Sequence, residues 1–268
     1  VDCCGTGGLG KNMMNISTAS AFVASAAEVK IAKHGNRTAT GKSGSADLLE
    51  AANINLNIKP DEVAKCIEEI GIGFMFAPNF HPGMKYVMPA RKRIADKTIF
   101  NLLGPLTNPA NAKRQSLGVY DSKWIIPVAE TLKNLGSNKA MVFHSKDGLD
   151  EISSVDKTLV AELDEGKIKE YEIDPKTYDI HQKNLKDLQI ESPFESLDLI
   201  KATLGNEDFE AGENIVSLNS AAVIYVSGIA GNFESAFEIA IDVIKSGKAL
   251  KKLSELASFS NTFNESSE

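Results

Sequence analysis

The sequence is short of cysteine, of long apolar runs and of positive charge, and each shortage removes a class of protein. Cys3, Cys4 and Cys66 are the only cysteines in 268 residues. They form neither an even-numbered disulfide framework nor a zinc-ligand spacing, which fits a reduced, cytosolic compartment. No apolar stretch approaches the length of a membrane span, and no signal-peptide pattern is seen. Lys plus Arg number 29 against 36 Asp plus Glu, a formal charge of −7. A general nucleic-acid binder, which needs a basic surface, is disfavoured. Any strongly anionic ligand must be met by cations gathered locally. An initial Met is also lacking: Val1-Asp2-Cys3-Cys4 reads as a core strand running straight into a glycine loop. A further segment is therefore expected ahead of it.

What remains is a chain long enough for one large domain or two unequal ones. Strands are expected at 1–4, 29–32, 73–77, 116–120 and 140–144. Helices are expected at 16–27, 44–53, 61–71 (opened by Pro60), 81–95 and 124–136. This alternation predicts an α/β fold, a parallel sheet with helices on both faces. Residues 155–175 read as a hairpin around Asp164-Glu165-Gly166. The chain is helical from about 192, including 219–231 and 233–245, with a polar tail after Ser258 expected to fray. The Pro/Gly/Asn-rich stretch 101–111 reads as loop. No internal repeat occurs.

Three segments carry chemistry. Gly5-Thr6-Gly7-Gly8-Leu9-Gly10 matches G-x-G-x-x-G. A dinucleotide site would want an acid at the end of the next strand; here stand Lys33-His34-Gly35-Asn36-Arg37, which suit phosphates. The loop reads equally as an anion-binding turn or as a plain turn before a helix capped through Asn15-Ile16-Ser17-Thr18. Lys33 to Asp47 gathers cations, hydroxyls, amides and glycines with no acid before Asp47. It reads as a cradle for phosphate or pyrophosphate, the bland alternative being a solvated basic loop; Asp47 itself could serve as a local cap. Lys92 and Arg93 read as a solvated helix face, and 101–109 as a linker or pocket wall. Asp147-Gly148-Leu149-Asp150-Glu151 follows a strand, where paired acids suit Mg²⁺; an ordinary acidic turn is the alternative.

Taken together, Gly5-Thr6-Gly7-Gly8, Asn15-Ile16-Ser17-Thr18, Lys33-His34-Gly35-Asn36-Arg37, Gly44-Ser45-Ala46-Asp47, His81-Pro82-Gly83-Met84-Lys85, Thr98 to Pro105 and Gly148 to Ser153 resemble, in order and spacing, the anthranilate phosphoribosyltransferase family. The resemblance covers essentially the whole chain. It implies a nucleoside phosphorylase/phosphoribosyltransferase-like fold: an α/β domain plus a small helical domain, truncated here, with a remnant at about 60–110. It implies a cytoplasmic homodimer that uses Mg²⁺ in the second step of tryptophan synthesis from chorismate.

The residue roles that follow are those of the resemblance. Phosphoribosyl pyrophosphate falls to Gly5, Gly8, Leu9, Met13, Asn15, Ile16, Ser17, Thr18 and Lys33, to His34, Gly35, Asn36, Arg37, Thr38, Ala39, Thr40 and Gly41, and to Ser45. Anthranilate falls to Gly5, His34, Asn36, Arg91 and Pro105, with the Arg91 guanidinium as carboxylate partner. Mg²⁺ falls to Ser17, Asp150 and Glu151; Lys33, Asp150 and Glu151 are the expected catalytic residues. Two departures stand out. Leu9 replaces the family's usual Asp, and Met13 replaces a common Thr or Ser. Rival readings are a pyrimidine nucleoside phosphorylase of the same fold, a non-catalytic nucleic-acid-binding relative and an inactive paralogue.

Overall fold

The structure, a computed structural model, describes residues 1–7, 11–38, 41–87 and 98–263. Strands β1 (Asp2–Gly5), β4 (Arg114–Gly118), β5 (Lys139–Ser145), β6 (Thr158–Asp164) and β7 (Lys167–Ile173) form one sheet in that order. β1, β4 and β5 run parallel; β6 and β7 are antiparallel. The sheet is thus mixed, not wholly parallel as the alternation implied. The antiparallel part is the expected hairpin, and its two-residue turn places Glu165 (φ +46°) and Gly166 (φ +76°) in the left-handed region, as a tight hairpin requires.

A second parallel pair, β2 (Ile31–Gly35) and β3 (Ile72–Phe76), lies against the β1 edge. Ala32 N–H donates to the Val1 carbonyl at 2.9 Å. One step on, the buried Asp2 carboxylate accepts the His34 N–H at 3.2 Å. A side chain thereby continues the ladder where the backbones diverge.

Helix α1 (Ile16–Ala26) is buried almost all round. Its Ala residues keep helix propensity high, and its small Ala and Ser side chains let neighbours approach closely. It packs with the β1–β3 strands and the helices α8 (Glu210–Ser227) and α10 (Lys248–Thr262) in the largest hydrophobic cluster. On the other face, α5 (Phe100–Leu106) and α6 (Ile125–Asn134) place Leu102, Ile125, Val128 and Leu132 against Leu117, Val142 and Leu163. Helices therefore do cover both faces. The remaining helices are α2 (Ser45–Ala51), α3 (Pro60–Lys65), α4 (Ala77–Phe80), α7 (Pro193–Leu204) and α9 (Phe233–Lys245). Among the described residues no helix is long and apolar enough to cross a membrane.

Several boundaries differ from expectation. Residues 101–111 are not all loop, because α5 occupies 100–106 with Pro105 inside it. The Thr98 N–H donates to the Asn101 side chain at 2.9 Å and fixes the first turn. Pro105 withdraws one donor but sits near the end, where little helix follows. α3 passes into a π-helical turn at Cys66–Ile70, closed by left-handed Gly71. α8 begins at Glu210, well before Asn219. The tail is helical to Thr262: Ser260 is buried and takes the Asn55 N–H at 3.1 Å. Of the expected helix 81–95, residues 84–87 are helical and 88–95 lie outside the described residues.

Candidate active site

The turns that follow β1, β2 and β5 converge at the carboxyl ends of these strands. Two glycines make the convergence possible. A Cβ on Gly118, at the end of β4, would sit 1.7 Å from the Asp150 carbonyl oxygen, and one on Gly5 would sit 2.5 Å from Asp150 Oδ2. The Asp150 backbone therefore crosses directly over the end of β4, and its carboxylate lies over the end of β1. Asp150 Oδ2 accepts the Gly7 N–H at 2.6 Å. The glycine loop and the acidic loop meet at this bond.

The Glu151 carboxyl lies close to the backbone N–H of Ser17 in the first turn of α1, where the helix dipole favours a carboxylate. Its side chain is only partly exposed. Removal from bulk water and the negative charge of Asp150 push its carboxyl up to about 8, against the opposing pull of Lys33 and the Ser17 N–H. Lys33 is buried, an expensive position for an ammonium unless it is well bonded. Its Nζ donates to the Cys3 carbonyl at 2.6 Å and to Ser17 Oγ at 3.3 Å. Sequence reading ends the strand at Ala32, where the polar stretch from Lys33 to Lys42 begins. Here Lys33 and His34 complete β2. Burial and the neighbouring His81 and Lys33 hold the His34 imidazole below its usual range, while Asp2 and the Gly104 carbonyl pull it upward. The His34 and His81 rings meet edge to face at 5.0 Å. Burial also pushes the Cys3 thiol up to about 11 and Cys4 well above its usual range. Neither is primed as a nucleophile.

Asp147 builds the acidic loop rather than joining the acid pair. It accepts Ser145 Oγ–H and Ser153 Oγ–H, each at 2.6 Å, and the Leu149 N–H at 3.3 Å. Lys11 reaches across from the glycine loop to the Asp147 carbonyl. In the second loop Asp47 is a local cap, accepting the Gly44 and Thr38 N–H groups at 2.8 and 3.0 Å. Arg37 turns to Glu50 and Asp47, so its guanidinium is engaged on α2.

The structure brings Gly5, Gly7, Ser17, Lys33, Asp150 and Glu151 together. Asn15 is held nearby by Ser43 and Ser196, whose hydroxyls donate to its Oδ1 at 2.7 and 2.8 Å. Ser45 Oγ donates to the Asn36 carbonyl at 3.3 Å. Met13 forms a bridge to Gln189, which leaves its position structural as well as near the loop. Thr18 is buried in the interior of the site, in the company of Lys33, Phe22, Leu49 and Phe74. Pro105 lies on α5, where its carbonyl accepts Gln115 Nε2–H at 2.9 Å. Gly8, Leu9, Ala39, Thr40 and Arg91 lie outside the described residues. Sequence reading missed Ser196 and Asn219. Both are more than sixty residues from the groups they hold, and neither sits in a motif.

An α/β sheet whose strand ends carry basic, hydroxyl-bearing and acidic turns is a group-transfer architecture. The family model that matches residues 1–250 is described as "Glycosyl transferase family, a/b domain". An anthranilate phosphoribosyltransferase of Marinomonas sp. (strain MWYL1) is 54% identical over 264 residues, 98% of this chain and 76% of that protein. The crystal structure of the anthranilate phosphoribosyltransferase from Thermus thermophilus superposes with a TM-score of 0.91 at 39% identity, covering 97% of this chain and 77% of that one. The Saccharomyces cerevisiae enzyme in complex with PRPP and Mg gives 0.87 at 29% identity, covering 97% and 73%. The chain belongs to the anthranilate phosphoribosyltransferase family.

Proposed function

We propose that the chain transfers the phosphoribosyl group of 5-phosphoribosyl 1-pyrophosphate to the amine of anthranilate, giving N-(5′-phosphoribosyl)anthranilate and pyrophosphate. One observation carries the site assignment: Glu151 lies at the N-terminus of α1 beside Ser17 and Lys33, with Asp150 bonded to the glycine loop. Asp150, Glu151 and Ser17 are hard oxygen donors of the kind Mg²⁺ takes, together with water and phosphate oxygens. Asp150 and Glu151 are adjacent acids whose negative charges oppose one another, a repulsion that a divalent cation would relieve. The residues present therefore fit the ion. Held by these residues, Mg²⁺ would supply positive charge to the pyrophosphate oxygens of the donor.

The protein's own groups perform the remaining work. The Lys33 ammonium, in a site sheltered from water, stabilises the same developing charge. Glycine-loop N–H groups and the Asn15 amide hold the donor's phosphates. Asn36 and Arg91 hold the anthranilate carboxylate so that the amine lies in line with the anomeric carbon. The amine attacks as pyrophosphate leaves, with inversion through an oxocarbenium-like state. No covalent nucleophile is needed, in keeping with the raised Cys3 and Cys4 thiols. A homodimer is part of this reading.

Asp150→Asn combined with Glu151→Gln is expected to lower turnover on the order of 10²–10³, with little change in the Michaelis constant for anthranilate. Steady-state fluorescence of anthranilate consumption measures both. Near-normal turnover at saturating Mg²⁺ would remove these two residues from the metal site.

A further inference from the structure

Asn219 lies in the middle of α8 and is 3% exposed. A buried amide there is costly unless fully bonded, and this one is spent chiefly on a single distant residue. Its Oδ1 accepts the Ile152 N–H at 2.8 Å, and its Nδ2 donates to the Ile152 carbonyl at 2.8 Å. The second Nδ2 hydrogen goes to the Ile215 carbonyl at 2.8 Å, one turn back on the same helix. The side chain thus closes both backbone groups of Ile152, as a neighbouring strand would, and is itself tied to the helix.

Ile152 follows Asp150 and Glu151 directly. On their other side Leu149 is anchored by its carbonyl to the Ser145 N–H at 2.9 Å and by its N–H to Asp147. The two acids therefore span a short bridge pinned at both ends. Adjacent carboxylates relieve repulsion by swinging their backbone apart; a peptide fixed at Ile152 prevents that. We propose that Asn219 is a positioning residue for the divalent-ion–pyrophosphate site, holding the Glu151–Ile152 peptide so that both carboxylates face one cation. This role rests on the proposed function and touches neither substrate nor metal.

The test is Mn²⁺ binding in the presence of pyrophosphate, followed by electron paramagnetic resonance on full-length wild-type, Asn219→Ala and Leu132→Ala proteins. Leu132 lies on α6 and is buried against the opposite face of the sheet, so its truncation reports plain destabilisation. Asn219→Ala is expected to weaken Mn²⁺ binding about tenfold or more, with the anthranilate Michaelis constant within about twofold of wild type. Leu132→Ala should lower the melting temperature and leave Mn²⁺ binding unchanged. Asn219→Ser, a milder loss of the same clamp, should weaken binding in the same direction and serves if the alanine variant does not fold. Wild-type affinity in the Asn219 variants, or equal weakening in Leu132→Ala, would overturn the clamp while leaving the metal assignment standing. A wild-type protein that binds no Mn²⁺ with pyrophosphate would overturn both.

Discussion

Gly118 shows how a residue with no side chain can govern an acid far along the chain. A Cβ there would meet backbone, the Asp150 carbonyl oxygen at 1.7 Å and its carbon at 2.5 Å, and backbone cannot rotate aside. Gly118→Ala is therefore expected to displace Asp150 and cost roughly 10² in kcat, the scale of a misplacement near 1 Å. Gly83→Ala, where nothing lies within 4 Å of the added atom, should leave kcat unchanged. Equal kcat in both variants would show that Asp150 tolerates the shift. His34 makes a second case. Its pKa is lowered in the folded protein, by burial first, so below about pH 6.5 the unfolded chain takes up the proton more readily. The stability lost to this group is nil above that pH and grows as pH falls beneath it. His34→Gln should accordingly lose less stability than wild type on going from pH 7 to 5, read by urea unfolding. Parallel losses would assign the acid sensitivity elsewhere. At this scale motif residues such as Lys33 and Glu151 were legible as chemistry. The burial of Lys33 was not, since it depends on a carbonyl and a hydroxyl contributed by other elements.

Among the elements, α7 braces the segments that carry Asn15 and Lys42 from outside. Its N-cap, Ser192, accepts the Glu195 N–H at 3.1 Å, and the next residue, Ser196, reaches Asn15. Glu191, just ahead of the helix, pairs with Lys42 at 2.8 Å; this exposed pair contributes little. Ser196→Ala removes a donor to Asn15 Oδ1 and leaves the Asn15 N–H unpaired, while Ser43 still holds the amide. The Michaelis constant for phosphoribosyl pyrophosphate should rise about two- to tenfold, the worth of one ordinary hydrogen bond, with that for anthranilate nearly constant. Equal rises in both would indicate general loosening of the site. The elements themselves were legible where period and turn chemistry agreed, as in α1, α9 and the Glu165-Gly166 hairpin. They were misread where breakers are tolerated. Pro105 sits late in a short helix, and the polar stretch past Ser258 stays helical to Thr262 because Ser260 and Asn261 bond back to Asn55 and Asn53.

For the molecule as a whole, the first fifty residues supply two of the converging loops, and the helices after residue 192 lock them. Asn15 is bonded to Ser196, Ile152 to Asn219, and α1 is enclosed by α8 and α10. Strand–helix alternation revealed the α/β class. The antiparallel docking of the hairpin on β5 and these long-range clamps depend on tertiary pairing that no local period encodes. Because the loops are tied into the core, a ligand that binds them should stabilise the entire fold. Magnesium pyrophosphate at a hundred times its dissociation constant contributes about 2.7 kcal/mol. At roughly 2–4 °C per kcal/mol for a domain near this size, the melting temperature should rise by about 5–10 °C. The shift should be absent with Mg²⁺ alone at the same concentration and lost in the Asp150→Asn, Glu151→Gln protein. Differential scanning calorimetry decides the matter. A full shift in the double variant would mean that pyrophosphate is held without the acids. No shift in the wild type at demonstrated saturation would mean that the loops open independently of the core packed against them.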